Sequence, residues 1–286
     1  MQYSGSLRAT TCLAGIVAAA LGPGPAAVAA TSVLRQSQQP IANFSFASQL
    51  GAGVYGIDGR TVQIYRVPFE YELRPPSQDR IGWDLTLPVT LGFFGYRVQD
   101  IVEEGPPKHV DTYSFMPGIE ASKLFGPGWR LAAFAELGVA SVPQDSSANL
   151  IYGGGGRCQY LFLLGEFHMR YGCELLYAGS QVDQHADDTM VRVTNGIDAL
   201  RRTRMSMRGQ VVDFGPYAMN EWFPKRPDAP TGATGPPMST LQWEVGVTIG
   251  TVQPAYIWSI PLPRIGLGYR FGNNLSAVRL VFGAAF

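Results

Sequence analysis

The run Ile81-Gly82-Trp83-Asp84-Leu85-Thr86-Leu87-Pro88-Val89-Thr90-Leu91-Gly92-Phe93 decides the fold. Its odd positions are apolar from Ile81 to Phe93. Its even positions (Gly82, Asp84, Thr86, Pro88, Thr90, Gly92) are small or polar. A period of two belongs to a strand that shows one apolar face. The same pattern returns in Leu241–Ile249, where Leu241, Trp243, Val245, Val247 and Ile249 oppose Gln242, Glu244, Gly246 and Thr248. In Gln63–Leu73, Tyr65, Val67, Phe69, Tyr71 and Leu73 oppose Arg66, Glu70 and Glu72. In Trp129–Val139, Trp129, Leu131, Ala133, Ala135, Leu137 and Val139 oppose Arg130 and Glu136. Working outward, about twelve strands are expected, near 42–56, 61–74, 80–97, 109–123, 128–142, 147–164, 167–180, 188–201, 206–223, 239–250, 255–272 and 275–286. The segment around Ile197–Arg202 is the most ambiguous.

The expected class is all-β, and two architectures compete for it. A soluble sandwich turns a lysine- and glutamate-rich face to water. Here the face opposite the apolar one is glycine, alanine, serine and threonine with scattered arginine and glutamate. The chain has only three lysines, Lys108, Lys123 and Lys225. That mixture suits the interior of a transmembrane antiparallel up-and-down β-barrel, with the apolar face toward lipid. Most runs also supply the roughly 9–11 residues that a tilted membrane strand needs. Charged residues are 15% of the 286, with 22 basic against 22 acidic side chains. So neutral a chain lacks the basic face that nucleic acid requires. No apolar run approaches the roughly 20 residues of a membrane helix.

The N-terminus reads as a targeting segment. Arg8 precedes the short apolar core Leu13–Leu21, Gly22-Pro23 breaks it, and Ala27-Val28-Ala29 is a small-residue cleavage signature. The expected organisation is a signal peptide over 1–30, a short segment over 31–41 and a barrel over 42–286. The exported chain keeps Cys158 and Cys173 where disulfides are permitted.

The other end reads Leu275-Ser276-Ala277-Val278-Arg279-Leu280-Val281-Phe282-Gly283-Ala284-Ala285-Phe286. Val278, Leu280, Phe282 and Phe286 share one face. A terminal Phe with apolar residues at every second position resembles the C-terminal signal of bacterial outer-membrane barrels. The resemblance implies recognition by the barrel-assembly machinery, with outer-membrane lipid as the surroundings. Together with about twelve strands, and with segments such as Gly128–Gly138 and Gly266–Phe271, the chain looks like the translocator domain of autotransporters. More narrowly, it resembles the solitary, passenger-less barrels of that kind. Only about ten residues separate the expected cleavage site from the first strand, which leaves no room for a passenger or a linker helix.

Connections agree with such a barrel, whose turns are short on one side and longer on the other. Pro75–Asp79, Phe125–Gly128, Gly165-Glu166 and Thr251–Pro254 are the expected short turns. Val98–Lys108, Gly179–Asp188 and Pro224–Ser239 are the expected outer loops. Gly272–Asn274 is a tight outer turn. If Gly165-Glu166 is a two-residue turn, Cys158 faces Cys173, Tyr160 faces Tyr171, Phe162 faces Met169 and Leu164 faces Phe167. The opposite face then sets Arg157 against Glu174 and Leu163 against His168. A disulfide and a pair of lipid-facing thiols are both compatible with that register.

Chemistry is sparse. Gly51–Gly56 matches G-x-G-x-x-G, but a turn and a strand follow where a nucleotide site needs a helix. Gly153–Gly156 reads as a bent strand. His109, His168 and His185 show no metal-ligand spacing and no lipid-facing partner for a serine hydrolase. No enzyme, cofactor or metal is therefore expected. Arg66, Glu70, Glu72, Asp84, Glu120, Arg130, Glu136, Arg157, Arg170, Glu174, Glu244, Arg264, Arg270 and Arg279 all fall on the inward parity. They either pair into a stiffening network or line a small, porin-like pore. A surface module acting through outer loops is the alternative, and a lipid hydrolase a more distant one.

The parity assignment makes a direct prediction. A charge at Leu280, or loss of Phe286, is expected to impair membrane insertion, because a charge facing mid-membrane lipid costs about 2–4 kcal/mol. Arg279→Ala, one residue away and inward, is expected to assemble far better. Equal insertion defects at 279 and 280 in a cell-fractionation assay would refute the assignment.

Overall fold

The computed structural model describes residues 52–57, 60–67, 69–94, 112–141, 148–181, 188–207, 209–226, 240–251, 256–257, 260–261, 264–273 and 275–282. Residues 1–51, among them the expected signal peptide and most of the first expected strand, lie outside these residues, as do His109, His185 and Phe286.

The described residues form strands and turns, with no helix among them. The strands are β1 (Gly53–Ile57), β2 (Arg60–Val67), β3 (Glu70–Arg74), β4 (Gly82–Thr86), β5 (Val89–Phe94), β6 (Thr112–Phe115), β7 (Gly118–Phe125), β8 (Trp129–Ser141) and β9 (Ala148–Leu164). They continue with β10 (Phe167–Gln181), β11 (Asp188–Met207), β12 (Gln210–Lys225), β13 (Leu241–Thr251), β14 (Tyr256–Ile257), β15 (Ile260–Pro261), β16 (Ile265–Gly272) and β17 (Leu275–Phe282). Fifteen of them make one antiparallel sheet, and β14 and β15 make a separate hairpin. β1 pairs with β17 on one side and β2 on the other. From β17 the ladder runs through β16, β13, β12, β11 and β10 to β9. From β2 it runs through β5 and β6 to β8, and β8 pairs with β9 along Trp129–Ser141. β3, β4 and β7 continue the same rows onto the first half of β8.

Three strands expected to be continuous are each broken in two. The run 80–97 divides into β4 and β5 at Leu87-Pro88, and 109–123 divides into β6 and β7 at Met116-Pro117. The run 61–74 divides into β2 and β3 where the sequence has Pro68. Proline has no N–H to give the ladder, so a strand interior breaks there. The breaks lie side by side and are bridged by hydrogen bonds from Leu87 N to Phe69 O, Met116 N to Pro88 O and Leu137 N to Pro117 O. Parity survives each break. Asp84, Thr86 and Thr90 stay on one face and Leu85 and Leu91 on the other.

Two further boundaries are corrected. β11 runs on to Met207, so the ambiguous Ile197–Arg202 segment is strand, and the turn to β12 falls at Gly209. The ladder of β16 begins only at Ile265, so Thr251–Pro254 is not a whole connection. Pro261 and Pro263 lie in the stretch expected to be strand, and neither can donate to a ladder.

The two faces differ sharply in exposure. Along β13, Leu241, Trp243, Val245, Val247 and Ile249 are 42–48% exposed, while Gln242 and Glu244 are 1% exposed. The buried face carries the small apolar clusters too. Met116, at the proline break, packs with Ala140 and Ile151. Phe134, Leu176, Ala178, Met190 and Phe223 form another cluster. Gly138 lies under the β6–β7 break, and a Cβ there would overlap the Phe115 carbonyl oxygen and the Met116 Cα.

Gly138→Ala is therefore expected to destabilise the fold by about 1–3 kcal/mol, the usual cost of forcing atoms into a packed site. Gly156→Ala is the control, because its nearest atom, Ala132 O, stands at 3.7 Å. Denaturant midpoints of the two refolded variants check this, and equal midpoints would remove the close approach from the explanation.

Candidate functional site

Inward-facing charges assemble into one string across the buried face. Asp84 meets Arg130 at 2.9 Å, and Arg130 meets Glu120 at 3.2 Å. Glu120 meets Arg157 at 2.7 Å, and Arg157 meets Glu174 at 2.6 Å. Glu174 meets Arg192 at 2.7 Å, and Arg192 reaches Glu221 at 3.7 Å. Glu221 accepts from Arg270 at 2.6 Å, Arg270 meets Glu244 at 2.8 Å, and Glu244 meets Arg279 at 2.6 Å. The signs alternate without a break, and each of the ten side chains comes from a different strand.

Strand geometry explains why such a string can form. Register pairs such as Arg157 with Glu174 and Glu244 with Arg270 are direct cross-strand neighbours. Opposite charges so placed attract. Other links, such as Arg157 to Glu120 and Arg270 to Glu221, join strands that are not paired with each other, so long arginine stems must lean across the interior. The fork of Arg270 holds both oxygens of Glu221, at 2.6 and 3.1 Å, while its Nε donates to Glu244. Two parallel bonds of this kind fix geometry as well as charge.

Glu244 is the most heavily used carboxylate. It accepts from Arg270, from Arg279 and from the Tyr217 hydroxyl at 2.8 Å. Tyr217 fits because two glycines face each other on its flank. A Cβ on Gly246 would stand 2.6 Å from the Tyr217 ring, and one on Gly268 would stand 2.7 Å from Glu244 Oε1.

Beside the string lies a cavity of about 60 Å³, lined by Arg66, Glu70, Glu120, Glu136 and Arg157 with Thr86 and Phe134. That volume has room for only a few waters. The Arg157 guanidinium stands 4.1 Å over the Phe134 ring. Nearer the Gly165-Glu166 turn, Arg170 pairs with Asp198 and Arg264 with Asp213. Glu72 stands opposite Asp84 in the ladder. Among the described residues no three His, Cys, Asp or Glu side chains converge as a metal group.

Of the charges expected inward from parity, Asp84, Glu120, Arg130, Arg157, Glu174, Glu244, Arg270 and Arg279 join the string. Arg66, Glu70 and Glu136 line the cavity, Arg170 and Arg264 pair apart from it, and Glu72 is exposed. Several partners were not foreseen. Arg192, Asp198, Asp213, Tyr217 and Glu221 carry links that reading single strands left out. Arg192 and Asp198 share the even parity of Arg170 and Glu174. Asp198 lies within the ambiguous segment Ile197–Arg202. On the opposite face, Cys158 and Cys173 are register partners joined by a disulfide, with Cα atoms 5.1 Å apart. The whole hairpin follows the register expected from a Gly165-Glu166 turn, including Leu163 with His168. Val278 and Leu280 are exposed on that outer face, and Phe282 is the last residue of β17.

No family model matches the sequence, and no curated protein matches it. Among solved structures, the chain is similar to the beta domain of the Bordetella autotransporter BrkA. The identity is 11% and the TM-score 0.46, over 81% of this chain and 93% of that one.

Glu244→Gln is expected to lower the unfolding free energy by about 3–5 kcal/mol, because losing one partner strands buried charge. Glu166→Gln breaks only the exposed pair with Arg201 and is expected to cost less than about 1 kcal/mol. Denaturant titration of both variants checks this. Equal costs would show that the buried string does not stabilise the fold.

Proposed function

We propose that the chain is an integral outer-membrane β-barrel of twelve crossings, akin to a passenger-less autotransporter translocator. Its interior is laced shut by its own ion pairs, so its role is structural, with at most a small pore. The observation that carries this reading is the inversion of faces. Leu, Val, Ile, Trp and Tyr side chains stand exposed around the sheet while Glu244 and Arg270 are 1% exposed. A water-soluble protein places its charges the other way round. A contiguous apolar surface of this extent calls for lipid.

Strand pairing supports the barrel. Counted with each proline-broken strand as one crossing, the ladder runs through twelve strands and comes back from β9 to β8. Its stagger is also of the kind closure requires. The row leaving Ser141 passes Tyr113, Leu91 and Tyr65, then Leu280, Leu267, Val247, Pro216, Ala199, Met169 and Phe162. With β1 and β8 extended by one and two residues in register, it returns level with Pro127, fourteen residues along β8. With strands rising about 3.3 Å per residue and set about 4.8 Å apart, such a stagger gives a tilt of about 40°, within the usual range for barrels. Aromatic pairs on the outer face support membrane borders at two levels. Trp129 stacks on Tyr160 at 4.7 Å near the Gly126–Gly128 turn, and Tyr269 on Phe271 at 6.0 Å near the Gly272 turn. Tyrosine and tryptophan favour such interfaces.

The ten-charge string supports the closed interior. It links ten strands across the interior, and opening a path past its buried end would separate Arg270 from Glu221 and Glu244. The purified protein in a planar bilayer is expected to show little conductance. Glu120→Ala with Arg157→Ala removes two adjacent members, and with them three links, and is expected to raise conductance several-fold. Large steady currents from the unaltered protein would replace the structural role with a pore. Recovery of the protein as a soluble species, without heat-dependent mobility on mild detergent gels, would sink the membrane reading altogether.

A further inference from the structure

One row of the outer face is not apolar throughout. Across the sheet it runs Leu131, Cys158, Cys173, Asn195, Asn220, Trp243 and Phe271, each the register partner of the next. Leu131, Trp243 and Phe271 are exposed apolar side chains of the outer face, so the whole row points outward. The next pair along the same two strands, Thr194 with Glu221, is buried on the inward face. Two asparagines therefore stand side by side on the lipid side of β11 and β12.

Depth makes the pair costly. Arg201 shares the outer parity of β11, is exposed, and pairs with Glu166 at the short turn, so it marks a polar edge. Asn195 is six residues from Arg201, about 20 Å along the strand and about 15 Å in depth at a tilt of about 40°. The apolar band of an outer-membrane barrel is about 25 Å tall, so both amides fall near its middle. The Tyr171 hydroxyl donates to Asn195 Oδ1 at 3.2 Å. Among the described residues, nothing bonds the Asn195 amide nitrogen or either end of the Asn220 amide. An amide without a partner in hydrocarbon costs free energy, because no water reaches it there.

The missing partner has to come from outside the chain, and its chemistry is narrow. An amide is donor and acceptor at once, so it needs no complementary charge and pairs reciprocally with another amide. Copies of one chain cross a membrane in one orientation. A two-fold axis along the membrane normal then sets each residue at the depth of its own counterpart. The side chains beside the pair also permit close approach. Toward the short turns the outer face of β11 and β12 offers Ala199, Ala218 and Pro216, where the same rows on β13 and β16 carry Val245, Val247, Leu267 and Tyr269. Small side chains that let backbones come close, with asparagines bonding across the contact, are what joins protein surfaces in lipid. We propose that the outer face of β11 and β12, centred on Asn195 and Asn220, is the contact surface for a second copy of this chain. The proposal rests on the membrane reading above.

The test has two arms, both on the full protein. Copies labelled at the N-terminus with donor or acceptor dye and reconstituted together in lipid vesicles are expected to show energy transfer above random mixing. N195L/N220L replaces both amides with side chains that lipid accepts. It is expected to insert with unchanged heat-dependent mobility and to weaken the pairing about tenfold. In native membranes, N220C is expected to cross-link to its own counterpart under copper–phenanthroline oxidation. L137C, at an exposed outer position four strands away, is expected not to. Transfer at the random level in the unaltered protein, an equal excess in N195L/N220L, or equal cross-linking of N220C and L137C would each overturn the contact surface. So would capture of N220C on a chain of different mass, which would replace the second copy with another partner. Failure of the unaltered protein to enter the vesicles at all would instead overturn the membrane reading.

Discussion

A guanidinium removed from water has to meet a carboxylate, and this constraint organises the buried face of the sheet. Five arginines and five acids alternate from Asp84 to Arg279, and each acid after Asp84 lies between two arginines. The arrangement is symmetric in its demands. At its buried end, where Glu221, Glu244 and Arg270 are nearly shut off from water, no member can be neutralised without leaving a neighbour uncompensated. Small residues elsewhere on the same face follow from it. Gly246 and Gly268 are empty at Cβ so that Tyr217 can reach Glu244.

The proline breaks answer a second demand. β2/β3, β4/β5 and β6/β7 are interrupted at about the same level, so the breaks fall along one line across the sheet. The hydrogen bonds from Leu87, Met116 and Leu137 carry the pairing across that line. Met116 turns in to pack on Ala140 and Ile151, and Gly138 leaves the room for it. Parity on either side of each break is unchanged, so the even residues face inward both before and after it, Thr90 and Ser114 on one side and Asp84 and Glu120 on the other.

The hairpin of β9 and β10 shows how far local arithmetic reaches. A two-residue turn at Gly165-Glu166 sets every facing pair for fifteen residues, including Cys158 with Cys173 on one face and Arg157 with Glu174 on the other. A slip of one residue would have put the charges among the outer apolar side chains. The β11–β12 hairpin shows the opposite case. Its register shifts near Arg202 and β11 runs on beyond the start of β10, and no turn arithmetic foretells either feature.

What the amino-acid sequence determined by itself is what depends on a period of two. It sets the strand class, the apolar outer face, the inward parity of Arg130, Arg157, Glu174, Glu244, Arg270 and Arg279, and the facing of the two cysteines. These are local properties, because successive Cβ atoms alternate whatever lies across the sheet. Only the tertiary structure decided which charges meet. Arg157 reaches Glu120 as well as Glu174, Arg192 links two halves of the string, and Arg270 spans from Glu244 to Glu221, because long side chains lean across strands far apart in sequence. The alignment of the proline breaks belongs with these. A proline says that a strand cannot continue its ladder, but only the pairing of the strands sets Pro88 and Pro117 beside the gap between β2 and β3, so that three local interruptions fall on one line.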